Sequence, residues 1–150
     1  MVRDVDKGYK ALVDRVFAIR KPKISVGITE STGAAYDGNL SVLDIAIINE
    51  FGLGNVPERS FLRAWFDENE GRCRQMVVAM MQSVIAGKRT KEQAIQLLAL
   101  KFVSEIQARI SAGIAPANAP STIAAKGSST PLIDKGILRS SISFRIEEGA

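Results

Sequence analysis

The chain has 150 residues, 46% of them hydrophobic, a formal net charge of +4, no histidine and one cysteine, Cys73. That length and apolar content suit one domain with its own core, and no apolar run of about 18 residues is present to form a transmembrane helix. A single cysteine excludes an internal disulfide and a Cys-rich metal site, and the lack of histidine removes the commonest proton shuttle and metal ligand at neutral pH.

The opening MVRDVDKGYK is too charged for a secretory h-region, so folding in a reducing cytoplasm is expected. Val5, Tyr9, Leu12, Val16 and Ile19 recur at spacings of three and four, which predicts a helix over residues 4–20 that Pro22 stops. Residues 1–23 hold seven Lys or Arg against three Asp, whereas the other 127 residues balance 13 against 13. Two readings of this basic segment are open. It is a solvated helix face, or Lys7, Lys10 and Arg15 face nucleic acid.

In KISVGIT, Ile24, Val26 and Ile28 alternate with Ser25, Gly27 and Thr29, which predicts a half-buried strand. Residues 31–39 are turn chemistry, with Asp37-Gly38 a tight-turn candidate. The β-branched run 40–51 is ambiguous by composition. Ser41 and Asp44 at capping-box spacing, with Gly52 at the far end, decide for a short helix. A loop follows at 52–59.

From Ser60, an apolar face starts with Phe61, Leu62, Trp65 and Phe66 and continues through Met76, Val77, Met80, Met81 and Val84. Gly71 is expected to interrupt or kink this helix, and Gly87 to end it. Thr90, with Gln93 at the capping-box position, opens a second helix to about Ile110, with Ala94, Leu97, Leu98, Phe102, Ile106 and Ile110 on one side and Gly113 after its end. The two helices form an antiparallel hairpin.

The stretch 114–140 is long, rich in Pro, Ser and Gly, and still punctuated by apolar anchors. Such a segment gains order by packing on its own domain or on a neighbour. Within it, Ser121 is expected to cap one turn to Lys126 and Asp134 to cap a second short helix. Ile142, Phe144 and Ile146 then alternate as a strand that pairs with 23–29. The fold class is therefore α+β: one domain over 1–150, a small antiparallel sheet packed with a long helical hairpin, and an extended arm at 114–140.

No catalytic set assembles from these residues. Cys73 lies between Arg72 and Arg74, which can lower a thiol pKa, but no histidine serves as its base. Asp67, Glu68 and Glu70 read as ordinary acids near a helix start. Gly52-Leu53-Gly54 and the stretch 124–130 lack phosphate-loop spacing. The methionines read as core filling. No metal, cofactor or enzymatic activity is expected.

Three phrases occur in order: Asn49-Glu50-Phe51-Gly52 followed by Val56-Pro57-Glu58-Arg59-Ser60-Phe61-Leu62-Arg63; then Ala119-Pro120-Ser121-Thr122-Ile123 with Lys126-Gly127; then Pro131-Leu132-Ile133-Asp134-Lys135-Gly136-Ile137-Leu138. Together they resemble tailed-bacteriophage neck and tail-completion proteins, the virion morphogenesis proteins of Mu-like and lambda-like phages, over about residues 40–146. Glu58 and Lys135 depart from the family pattern. The resemblance implies a structural virion protein at the head–tail junction or the top of the tail. Its expected form is a homo-oligomeric ring, commonly of six subunits, that meets connector and tail-tube or terminator proteins. If the basic N-terminal helix lines the lumen, its charge would meet packaged DNA non-specifically, an expectation from charge asymmetry alone. A small basic nucleic-acid-binding module is the alternative.

In a ring each subunit meets the next through two different surfaces. Pro116, Pro120, Ile123, Pro131, Leu132, Ile133, Ile137 and Leu138 are the arm's candidate contact residues. Arg59 and Arg63, four apart, are expected to share an exposed side that meets an acidic neighbour. Two readings stay open for the arm: it closes its own domain, or it docks on a neighbour. Phe61, Leu62 and Trp65 would pack the loop 52–59 against the hairpin, or simply close the monomer's own core, and for the aromatics the second is preferred.

Overall fold

A computed structural model describes residues 8–18, 22–28, 40–127, 132 and 136–147. The expectations for Val5, Lys7, Ile19, the turn at 31–39, Pro131, Ile133 and Asp134 lie outside the described residues.

Two strands, β1 (Lys23–Ile28) and β2 (Ile142–Glu147), pair antiparallel. The register sets Ile24 opposite Ile146, Val26 opposite Phe144 and Ile28 opposite Ile142. The two alternating apolar sets thus share one face, as period-two patterning requires. That face lies on the long hairpin, formed by α3 (Arg63–Ile85) and α4 (Lys91–Ala112). The fold is α+β, as its sequence pattern predicts.

The central helix is α4. Its buried residues Ala94, Ile95, Leu98, Ala99, Phe102, Ile106 and Ile110 follow helical spacing, and it packs on α3 and on both strands. Thr90 closes its start: the hydroxyl accepts from the Gln93 backbone N–H while the Gln93 side chain accepts from the Thr90 backbone N–H. Leu97, placed by its spacing on the apolar side, is exposed, because Ile95 and Ala99 turn inward instead.

Helix α3 runs unbroken through Gly71. A Cβ there would meet nothing within 4 Å, so the glycine sits on an open surface and packing elsewhere carries the helix past it. Only Trp65 and Val84 of α3 are buried. Phe66 and Val77, read as part of its inner face, are exposed, and Met76 and Met80 pack half-buried against the core.

Helix α2 (Val42–Phe51) is closed by the Ser41–Asp44 capping box, with Gly52 after its end. Val42, Ala46 and Glu50 form its buried stripe, four residues apart. Helix α1 (Tyr9–Ala18) rests against α3. Its predicted apolar face is not buried: Tyr9 is 75% exposed, and Leu12 and Val16 are exposed beside Phe17 at 77%. Two short helices complete the arm, α5 (Pro120–Lys126) and α6 (Ile137–Ser140). Among the described residues, no helix is long and apolar enough to cross a membrane.

Candidate subunit-contact site

The region that the three sequence phrases mark is a junction of α2, the loop 52–60, the start of α3 and the arm. It begins with Glu50. A carboxylate in the last turn of a helix is electrostatically misplaced with respect to that helix, and burial at 5% exposure adds a desolvation cost. Its partners explain its position. Glu50 Oε2 accepts from the backbone N–H of Phe61 at 2.9 Å and of Leu62 at 3.1 Å. Glu50 Oε1 accepts from the N–H of Arg63 at 2.8 Å and from the Ser60 hydroxyl at 2.7 Å.

These N–H groups belong to the start of α3. Its N-cap residue is Leu62, which has no side chain able to cap. The last turn of α2 therefore supplies the acid that closes the first turn of α3. Burial pushes the Glu50 carboxyl up, but the hydrogen bonds from Ser60, Arg63, Leu62 and Phe61 outweigh it and hold the carboxyl below its ordinary 4.5. Ser60 also accepts from the Ala64 N–H at 3.0 Å.

Between Glu50 and Ser60 the chain doubles back. Leu53 and Val56 exchange both backbone hydrogen bonds, at 3.1 and 3.0 Å, and the Arg59 N–H reaches the Asn49 carbonyl at 2.7 Å. Gly52 makes this fold possible. Its φ is +71°, and an added Cβ would lie 2.9 Å from the Glu58 backbone nitrogen.

The structure separates Arg59 and Arg63, whose four-residue spacing reads as one exposed side. Residue 59 precedes α3, so helical spacing does not apply to it. Arg59 is buried at 7% exposure and reaches into the arm. Its Nε donates to the Pro116 carbonyl at 2.7 Å and its Nη2 to the Ala117 carbonyl at 3.2 Å. Arg63 is exposed. It donates to the Glu50 carbonyl oxygen at 2.9 Å and to Glu58 at 2.7 Å, and its guanidinium lies 4.4 Å over the Phe51 ring.

The arm is tied down at two places. Arg59 holds its root at Pro116 and Ala117. Further on, Leu132 and Leu138 are buried in the domain's own core and Ile137 packs against it. Between the ties, α5 presents Pro120, Ser121, Thr122, Ile123 and Ala124 outward. Pro120 takes the first helical position, which its ring favours, so α5 starts one residue before the expected Ser121 cap. Helix α6 starts at Gly136 in the left-handed conformation. A groove of about 520 Å³ opens between the loop and the arm, lined by Asn49, Val56, Arg59, Ala117, Thr122 and Leu138 among others.

Two apolar surfaces stand uncovered elsewhere. On the outer side of α2, Leu43, Ile47 and Phe51 are exposed, with Leu53 beyond them. On the hairpin, Phe66, Val77 and Val78 are exposed around a shallow depression. The two depressions share no residue. Phe61 and Trp65 are buried in the core, with Leu62 packed against it, as closure of the domain's own core requires.

Cys73 is half-buried on α3. Burial pushes its thiol up, and Arg72, the neighbour able to lower it, is engaged by Glu105 and Asn69. Among the described residues, no three acidic or cysteine side chains converge. On α1, Lys10 is exposed, whereas Arg15 is half-buried against the hairpin tip. Sequence reasoning misses the remote cap by Glu50. The signal is an acid in the last turn of a largely apolar helix, two residues before a glycine. Comparison with protein-family models, with curated proteins and with solved structures finds no match for the chain.

Proposed function

We propose that the chain is a structural protein of a tailed-phage virion that forms a ring at the head–tail junction or the top of the tail and joins the tail to the connector. The resemblance of its three ordered phrases to neck and tail-completion proteins supplies the class. The observation that carries the reading is the arm, moored at Pro116–Ala117 and again at Leu132 and Leu138, with α5 held outward between the two. A segment fixed in this way presents Pro120 and Ile123 to a neighbour with part of its ordering entropy already met by the domain.

Two further features support it. A head-to-tail ring needs two unlike surfaces on each subunit, and the outer side of α2 and the Phe66–Val77–Val78 surface are unlike and separate. Tyr9, Leu12, Val16 and Phe17 leave α1 apolar on its outside, a poor arrangement for a helix in water and a suitable one for a helix covered by a second subunit. In this reading the protein works by assembly, without a reaction, and its place is the virion.

The test is the mass of the purified chain in solution paired with negative-stain imaging, alone and with tail tubes added. Rings in either sample are expected, and Ile123→Asp, on an exposed site of α5, is expected to abolish them while leaving the circular dichroism unchanged. A chain that stays monomeric in both samples overturns the reading.

A further inference from the structure

The tip of the α3–α4 hairpin gathers positive charge that the described residues do not neutralise. Lys88 and Arg89 lie in the connector between the helices, and Arg15 reaches the same place from α1. None of the three makes an ion pair among the described residues. Lys91 adds a fourth cation at the start of α4, where Glu92 stands beside it. The Glu92 carboxylate is engaged by its own backbone N–H, by Thr90 and by Lys91. Asp14, next to Arg15 in sequence, makes no ion pair with it.

Arg15 lies half-buried at the hairpin tip. Its guanidinium lies over Gly87, so closely that an added Cβ would be 2.5 Å from Nη1 and 3.3 Å from Cζ. Its Nε is buried and has no acceptor among the described residues, as is also true of Arg109 Nε. A cavity of about 460 Å³ opens at this point, lined by four cations, Arg15, Lys88, Arg89 and Lys91, and one acid, Glu92, among others. The capping box of Thr90 and Gln93 already occupies the start of α4, so the attraction comes from the side chains.

We propose that the hairpin tip is a phosphate-binding site for the backbone of double-stranded nucleic acid, with Arg15 and Arg89 as planar clamps and Lys88 as a point charge. Guanidinium groups match phosphate oxygens two at a time. No aromatic side chain lines the cavity, so it offers no platform for stacking unpaired bases, and the contact is with the backbone and blind to sequence. The proposal does not depend on ring formation: it concerns a cation cluster within one chain.

The experiment uses the full chain and a labelled DNA duplex of random sequence, followed by fluorescence anisotropy between 50 and 200 mM salt. Three phosphate contacts give a log–log salt slope of about −3 and a fall in affinity of roughly 40-fold over that range. The double variant Lys88→Gln, Arg89→Gln removes two exposed charges and is expected to reduce the slope by about 2. Arg15→Gln, which removes the third charge, is expected to reduce it by about 1. Arg74→Gln, whose native side chain pairs with Glu70 on exposed α3, serves as the control and leaves it unchanged. Absence of duplex binding at 50 mM salt, or a slope indifferent to the double variant, overturns the proposal. Calorimetric binding of inorganic phosphate without duplex binding overturns its assignment to nucleic acid.

Discussion

The hairpin and the loop–arm junction are held together by different physics. In the hairpin, α4 buries a stripe of seven apolar residues, and its salt bridges to α3, Arg72 with Glu105 and Arg109 with Glu68, lie on the outside. In the junction, two buried charged side chains hold the chain, Glu50 gathering the start of α3 and Arg59 the root of the arm. Apolar packing is tolerant in direction and answers to volume. A buried carboxylate with four donors is specific in direction and answers to pH. The hairpin therefore acts as the scaffold, and the junction sets where loop and arm stand upon it.

The largest effect separates the two by volume. Ile106 on α4 is fully buried in the core, and Ile106→Ala is expected to cost about 4 kcal/mol in urea denaturation at all pH values. Glu50→Ala comes next. It strands three backbone N–H groups at the start of α3 and is expected to cost about 3 kcal/mol.

The Glu50 contribution depends on pH and the Ile106 contribution does not. The folded carboxyl titrates below its ordinary 4.5, so its stabilisation is fully present above that value and disappears as pH falls through the lower folded value. The gap between the native chain and Glu50→Gln should be constant at neutral pH and close below pH 4.5. Asp44, Glu68 and Glu105 are also held low, and comparison with the variant removes their share.

The smallest effect sharpens the contrast within the junction. Arg59→Ala frees carbonyls at Pro116 and Ala117 that water can reach, so a global cost of about 1–2 kcal/mol is expected. Its readout is local: amide exchange and proteolysis should rise across 114–127 and stay unchanged in α4.

The sequence reveals what is local. Ser41 with Asp44 and Thr90 with Gln93 are each three residues apart, and both boxes form as their spacing predicts. Strand alternation finds the pairing of β1 with β2 because one apolar face must meet another. What it does not reveal is how distant residues share a task. The cap of α3 comes from a side chain eleven residues before Phe61, and nothing in a helical window connects them. Arg59 and Arg63 look like one helical pair because spacing alone does not mark where α3 begins. The exposed face of α1 carries the pattern of a buried one, since periodicity shows which side is apolar and is silent on whether one chain or two cover it.

The two moorings of the arm also limit its reach. From Ala117 to Leu132 the chain is about 15 residues, or at most about 50 Å fully drawn out, and with both ends fixed its middle can stand off by no more than about half that. Helix α5 shortens it further. An arm moored this way cannot reach around a distant partner. It can only touch what comes alongside, so in the proposed ring the spacing between copies would be set by the body of the domain, with the arm as a short bumper between them.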